Sequence, residues 1–352
     1  MHSFQIGILG ATGAVGQKFI RLLQEHPWFT IKALGASERS SGKKYSEAVH
    51  WIEPIELPLE VAEIKVDDCD PSAFSGVDFV FSGLDSSVAT EIERNFAEAG
   101  IPVISNAKNY RMDESVPLMI PEVNPGHADL IKTQTFSSDG SGWIVTNPNC
   151  VSVPLAMSLK PLQDEFGVSS VVVTSMQSVS GAGYPGVPSL DIIANVVPFI
   201  GGEEDKIQTE SAKLLGTLGS GTVDFAKMDI QATAVRVPTI EGHLLSVSAG
   251  LLDTPSTLED VSRAITEWES PIADLDLPSS PEKPVKLYTE NRFPQPRLHT
   301  DREGGMQTAI GRLRKGTVLD IGYVTMAHNT VRGAAGGAIL NAELLVAKEY
   351  IK

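Results

Sequence analysis

The sequence predicts an α/β protein: a Rossmann-like, doubly wound parallel sheet plus a second α+β domain with a mixed or antiparallel sheet. Three observations predict it. Near the N-terminus a short apolar run, FQIGILG, meets a glycine turn and then ATGAVGQKFIRLLQEHP, whose apolar residues fall at helical spacing. Strand-like and helix-like segments then alternate to about residue 148, the pattern of right-handed crossovers in a parallel sheet. Beyond it, several strand-like runs follow one another without a helix between them.

In chain order, FTIKALGAS reads as the second strand and ends in a loop containing Ser37, Arg39 and Ser40. VDFVFSGLD reads as a third, buried strand after acidic, turn-rich sequence, and helix TEIERNFAEAG and strand IPVIS continue the alternation. In the second half SVVVTSMQSVS, DIQATAVRV, LLSVSAGLL, QTAIGRL and TVLDIGYVTM are the strand-like runs. The proline-rich stretch from Leu277 to Pro296 reads as an irregular loop, and NTVRGAAGGAILNAELLVAKEYI as one helix whose small-residue face suits packing back onto the first domain. The expected division is residues 1–148 with 329–352 as one domain and 149–328 as the other.

Composition narrows the function classes. A chain of 352 residues with 42% hydrophobic and 20% charged content is long enough for two soluble domains. Its net charge of -16 speaks against nucleic-acid or anionic-membrane binding, so an anionic ligand must meet a local cationic pocket. The two cysteines, Cys69 and Cys150, make no disulfide framework and fit a reducing compartment. With no signal-like N-terminus and no membrane-length apolar run, a cytoplasmic enzyme is expected.

Gly10, Gly13 and Gly16 form a G-x-x-G-x-x-G turn between strand and helix, where missing side chains let the backbone approach a pyrophosphate at the helix N-terminus. The same spacing also serves a purely structural turn; its place opening a strand–helix–strand pattern favours nucleotide binding. In ASERSSGKK, after the second strand, Ser37, Arg39 and Ser40 can donate to a 2′-phosphate, which points to NADP, although Glu38 stands among them and a solvated surface loop is the plainer alternative.

In TNPNCVSVPLAMSLKPL, Cys150 follows a turn at the start of a probable helix, where backbone amides and the helix dipole are expected to lower its pKa. An inert buried cysteine is the alternative. Cys69, among the carboxylates of VDDCDP, is expected to have its thiolate disfavoured. In RVPTIEGH, Arg236 and His243 bracket a stretch that can bring a guanidinium fork and an imidazole to one pocket. His243 alone reads equally as a structural histidine, and Lys206 in GGEEDK as a solvated helix charge.

Together GATGAVG, SNAKNYR, TNPNC, SVSGAGYPG, GGEEDK, RVPTIEGH and HNTVRGAAGG, which span nearly the whole chain, resemble the aspartate-semialdehyde dehydrogenase family, especially its archaeal and fungal branch. That resemblance implies Cys150 as nucleophile, His243 as acid/base, Gln177 as the residue orienting the acyl group and Arg236 as the clamp on the substrate carboxylate. It places Arg111, Glu203 and Lys206 at a phosphate subsite and Asn149 beside the nucleophile; the choice of Glu203 over the adjacent Glu204 rests on analogy alone. To the glycine turn it adds Thr12, Ala14, Val15, Ser82, Ser180, Gly181 and Asn329 as cofactor contacts, the last three on the nicotinamide side. It implies that NADPH reduces L-4-aspartyl phosphate to L-aspartate 4-semialdehyde through a cysteine thioester, in a homodimer or homotetramer.

Malonyl-CoA reductase and N-acetylglutamyl-phosphate reductase are the alternatives within the superfamily, and a non-catalytic NADP sensor the alternative outside catalysis. A short-chain dehydrogenase is disfavoured because no tyrosine heads a Tyr-x-x-x-Lys pair. No metal is expected, since the seven histidines show no ligand spacing.

Overall fold

The computed structural model describes residues 3–352. Strand β1 (Phe4–Leu9) runs into helix α1 (Ala14–Leu23), followed by β2 (Phe29–Ala36), β3 (Val66–Asp68) and β4 (Phe79–Ser82). Helix α2 (Ser86–Glu98), β5 (Val103–Ser105) and β6 (Ile144–Thr146) complete the first half. The six strands form one parallel sheet in the order β3-β2-β1-β4-β5-β6. That is the doubly wound order, with its switch point between β1 and β4.

Both faces of this sheet are buried, which is why its strands read as continuous apolar runs. Ile6, Ile8, Phe79, Phe81, Ile104 and Val145 point to one face with Phe19 and Ile20 of α1. Leu9, Val80, Val103 and Ile144 point to the other, against Phe96 of α2 and Phe74 of the turn before β4.

The second half begins with α3 (Ser152–Phe166) and β7 (Val168–Gln177), then α4 (Glu203–Leu214) and a two-stranded hairpin of β8 (Thr217–Leu218) and β9 (Val223–Asp224). Strands β10 (Asp229–Arg236) and β11 (His243–Leu251), helix α5 (Leu258–Thr266), and β12 (Val285–Leu287), β13 (Thr308–Lys315) and β14 (Ile321–Ala327) follow, and α6 (Gly336–Ala347) ends the chain. The second sheet has the order β10-β7-β11-β14-β13-β12. It is mixed: β10–β7 and β12–β13 are parallel, and the three central pairings antiparallel. Its inner face, with Val171, Val173, Leu245 and Val247, packs on Leu155, Leu159 and Leu162 of α3.

Four expectations change. VDFVFSGLD supplies the fourth strand, because Val66–Asp68 adds a short edge strand inside the acidic segment. The proline-rich stretch contains β12, which pairs with β13. The small hairpin of β8 and β9 has no counterpart in the sequence reading. The C-terminal segment is not one helix: Val331–Ala335 is a wide π-type turn, broken by a non-helical Ala334 (φ -151°, ψ -105°), before α6 begins. As expected, α6 packs on the first sheet, with Ile339, Leu340, Leu344 and Leu345 in that core. Leu118, Ile120 and Val123, by contrast, join the core of the second sheet. Among the described residues no helix is long and apolar enough to cross a membrane.

Beneath the first sheet's carboxyl end lies a buried carboxyl group. Glu93 of α2 accepts hydrogen bonds from Ser82 and Ser105 at 2.6 Å each, while its Oε2 has no partner. Burial raises its pKa from 4.5 to about 7 against the opposing effects of the two serines and Arg111. A carboxyl pKa raised on folding means that the native state keeps a proton the unfolded chain releases. Stability is therefore lost as pH rises from about 4.5 through about 7, by about 3 kcal/mol in total. Glu93→Gln removes this titration. In urea unfolding followed across that range, its stability relative to wild type should climb with pH and level off above 7; a difference independent of pH would contradict the assignment.

Candidate active site

The register of the second sheet builds the centre of the site. Gln177 ends β7 and Arg236 ends β10, and the parallel pairing sets them side by side. His243 starts β11, which runs antiparallel to β7 with Leu244 opposite Met176, so the imidazole emerges at the same sheet end. All three side chains are buried. Cys150 sits in the turn before α3, with Sγ 3.2 Å from His243 Nε2. The sequence-predicted nucleophile, acid/base, acyl-orienting glutamine and carboxylate clamp thus converge.

Helix α4 supplies a second wall. Glu203 accepts from Lys206 Nζ at 2.7 Å, from Asn149 Nδ2 at 3.0 Å and from Gln177 Nε2 at 3.3 Å. Two turns on, Glu210 accepts from Arg111 Nη1 at 2.9 Å with one oxygen and from the Asn149 backbone N–H at 2.6 Å with the other. One turn further, Lys213 Nζ donates to the carbonyls of Arg111, Asp113 and Val116 at 2.7 to 2.9 Å. This holds the loop that carries Arg111. The Arg111 Nε–H is buried without a partner, leaving donor capacity for an anion.

Sequence reading missed Glu210 and Lys213. Their positions repeat the 203, 206, 210, 213 stripe of one helix face, a signal that was present but that a charged stripe normally assigns to solvent. It also missed Gly333 from the wide turn. A Cβ there would lie 2.8 Å from the Cys150 Cβ, so only glycine lets this turn close over Cys150. Gly181, expected as a cofactor contact, is confined in a similar way: a Cβ would meet Arg236 Nη1 and His243 Cε1 at 2.9 Å.

The nucleotide turn has the expected form. Gly10 adopts φ +75° and lies so close to Gly83, after β4, that a Cβ would stand 2.8 Å from the Gly83 carbonyl oxygen. A Cβ on Gly16 would stand 2.3 Å from the Gly10 oxygen. Helix α1 starts at Gly13 with no side-chain cap and no acidic residue in its first turn, so the N–H groups around Ala14 and Val15 fit a phosphate. Thr12 lies within the turn, its carbonyl held by Gln17, and the Tyr45 hydroxyl donates to Ala11 O from below. Ser37 and Arg39 are exposed, and Ser40 N–H donates to Ser37 O, closing the loop after β2.

Three other expected cofactor residues have hydroxyl or amide groups engaged within the protein. Ser82 is fully buried and donates to Glu93. Ser180 donates to Glu241 at 2.8 Å, and Asn329 accepts from Gly242 N–H at 2.9 Å and from Ser178 Oγ at 3.0 Å.

The expectation of an acidic thiol at the start of α3 is overturned. Burial pushes the Cys150 thiol up to about 12 and the Glu203 carboxylate adds to the shift, while Arg111 and Arg236 oppose it. His243 is driven down to about 3, first by burial and then by Arg236 and His328. The resting pair is therefore neutral thiol and neutral imidazole. Burial raises the Glu203 pKa, but Lys206 and the two amides outweigh it and the net shift is down, so Glu203 stays ionised. Cys69 has its thiol raised chiefly by burial, with Asp68 a minor contributor and a backbone hydrogen bond from Gly10 opposing.

A parallel sheet with an uncapped glycine turn, facing a thiol–imidazole pair walled by buried arginines, fits the class of semialdehyde dehydrogenases. Models of that class match the chain twice: the semialdehyde dehydrogenase NAD-binding domain over residues 5–131 and the semialdehyde dehydrogenase dimerisation domain over residues 159–332. The chain is 49% identical over 348 residues to aspartate-semialdehyde dehydrogenase of Archaeoglobus fulgidus, covering 99% of each. It is 45% identical over 350 residues to that of Schizosaccharomyces pombe, covering 98% of each. A crystal structure of aspartate-semialdehyde dehydrogenase with NADP from Candida albicans superposes with a TM-score of 0.92 at 41% identity, over 98% of this chain and 99% of that one. The chain belongs to the aspartate-semialdehyde dehydrogenase family.

Glu203→Gln removes the nearest negative charge from the thiol. Iodoacetamide should then alkylate Cys150 faster at pH 8, by roughly tenfold for each unit by which the thiol pKa falls. In wild type the rate should still be rising at pH 9. A wild-type rate that levels off below pH 8 would restore the acidic-thiol reading.

Proposed function

We propose that this protein reduces L-4-aspartyl phosphate to L-aspartate 4-semialdehyde, reversibly, through a thioester on Cys150, with NADP(H) as cofactor. The observation that carries the reading is the 3.2 Å approach of Cys150 Sγ to His243 Nε2 in a pocket that also holds Gln177, Arg236 and Arg111. The family's name, shared by archaeal and fungal relatives across nearly the full chain, selects the acyl group over malonyl-CoA or N-acetylglutamyl phosphate.

Arg236 is the one buried guanidinium at the sheet end beside Gln177, and takes the substrate carboxylate. Arg111 and Lys206, each also paired with a glutamate, take the phosphate with the donors left over, the Arg111 Nε–H among them. Glu203 orients Asn149 and Gln177 around the acyl group. As the new bond forms between Sγ and the acyl carbon, the carbon–oxygen bond to phosphate breaks. The thiol proton departs with hydrogen phosphate. The thioester so formed accepts hydride more readily than a carboxylate, and bound NADPH supplies that hydride. His243, whose Nε2 reaches the sulfur, is the acid/base group. The C–S bond then breaks with its electrons on sulfur, releasing the aldehyde, and a proton taken up from solvent restores the Cys150 thiol.

The Gly10 to Gly16 turn holds the pyrophosphate, and Ser37, Arg39 and Ser40 the 2′-phosphate. Residues 1–148 with 329–352 act as the NADP-binding domain and 149–328 as the catalytic, substrate and oligomerisation domain. A homodimer or homotetramer is supported by the exposed apolar side chains of Val172 on the open face of the second sheet and of Leu190, Ile193 and Phe199 in the adjoining segment. The family model's dimerisation region covers both. Two unpaired thiols fit a cytoplasmic setting.

Intact-mass spectrometry after adding aspartyl phosphate without NADPH should show one aspartyl group on Cys150, absent in Cys150→Ser. Undiminished turnover in Cys150→Ser would refute the thioester route. Arg39→Ala should raise KM for NADP far more than for NAD; equal effects on both would remove Arg39 from the 2′-phosphate site.

A further inference from the structure

His243 contacts Cys150 through Nε2 and the rest of the protein through Nδ1. Nδ1 lies 3.1 Å from the backbone N–H of Ser178 and 3.0 Å from its hydroxyl oxygen. The hydroxyl can rotate to donate or accept; the backbone N–H is fixed in place and can only donate. Ser178 is fully buried, so an unmatched N–H there has no water to turn to. Nδ1 must therefore present its lone pair, and a neutral ring then carries its proton on Nε2.

The orientation of Asn329 is fixed by the same logic. Its Oδ1 accepts from the Gly242 N–H at 2.9 Å, which an inverted amide could not do, and lies 3.0 Å from Ser178 Oγ, whose single hydrogen serves either this oxygen or His243 Nδ1. Its Nδ2 donates to Ser180 Oγ at 2.8 Å, and Ser180 in turn donates to Glu241 at 2.8 Å. One amide thus ties the residue preceding His243 to the residue that addresses its ring, from a chain segment belonging to neither.

We propose that Ser178 and Asn329 are positioning residues that hold His243 as the Nε2–H tautomer, so that a hydrogen-bond donor, not an open lone pair, faces the Cys150 sulfur in the resting enzyme. The proposal builds on the assignment of Cys150 and His243 made above. Burial and the neighbouring Arg236 keep the ring neutral, in agreement with it. The donor faces the atom that must leave as thiolate when the C–S bond breaks, and it hydrogen-bonds that thiolate without first giving up a proton.

The test reads the resting enzyme directly. In protein labelled with ¹⁵N-histidine at neutral pH, the His243 signals, identified by their loss in His243→Gln, should show a protonated Nε2 and a bare Nδ1. Ser178→Ala keeps the backbone N–H and should keep this tautomer. Asn329→Ala should lose it in part, with kcat falling roughly ten- to a hundredfold while KM for NADPH changes little. A proton on Nδ1 in wild type would overturn the proposal even if Asn329→Ala does not fold. So would an Asn329→Ala enzyme with intact tautomer, unchanged kcat and a raised KM for NADPH, since Asn329 would then be a cofactor contact only. Failure of the thioester assignment appears separately, as full turnover in Cys150→Ser, and leaves the tautomer readout untouched.

Discussion

The carboxylate of Glu210 is the interaction on which the site depends. One oxygen holds the Arg111 guanidinium and the other the backbone N–H of Asn149, so a single buried group fixes both a cation and the turn that presents Cys150. Neither link is dispensable. Removing one member of a buried ion pair leaves an uncompensated charge, at about 3 to 5 kcal/mol, far more than a solvent-exposed pair contributes. The rest of helix α4 extends the arrangement: Glu203 spans Lys206, Asn149 and Gln177, and Lys213 closes the loop around Arg111. The four charges on this face, Glu203, Lys206, Glu210 and Lys213, occupy the site wall because each has a partner there.

That arrangement explains why the thiol is not acidic. A helix terminus contributes about 0.3 to 1 kcal/mol to stabilising a nearby charge, up to about 2 in buried geometry. Raising a thiol from 9.0 to about 12 corresponds to about 4 kcal/mol in the other direction. Burial and Glu203 therefore win over Arg111, Arg236 and the helix start. A protonated sulfur is protected from oxidation and alkylation, which require the thiolate. The same burial that raises the thiol lowers the imidazole, and both groups stay uncharged beside a strongly charged wall.

Much of this was legible in the sequence, for a physical reason that differs between regions. The first sheet was readable because strands buried on both faces must be apolar throughout, as Ile6, Ile8, Phe79 and Phe81 are, and because a glycine such as Gly16 has no substitute where a Cβ would strike backbone. The short edge strand at Val66–Asp68 was not, since two of its three residues are acidic and only Val66 is buried. Cys150, His243, Gln177 and Arg236 were identified by resemblance; their spacing along the chain does not reveal that three adjacent strands end at one level. Glu210 and Lys213 were overlooked because charge on a helix usually marks the solvent side, and the partners that bury them lie some hundred residues away.

The C-terminal segment shows how the two sheets are held in one relation. Within a few residues it must bring Asn329 to Gly242, Gly333 against Cys150, and Arg332 to Glu122, which it meets at 2.7 Å with both side chains buried. The Ala334 carbonyl also accepts from Asn147 at 2.7 Å, and Asn341 of α6 holds Asn147 from the other side. A regular α-helix sets successive side chains 100° apart, and this segment departs from that spacing. Widening the turn between Val331 and Ala335 and breaking it at Ala334 changes that phase. Past that change of phase α6 packs on the first sheet, while Gly333 before it closes over Cys150 in the turn ahead of α3.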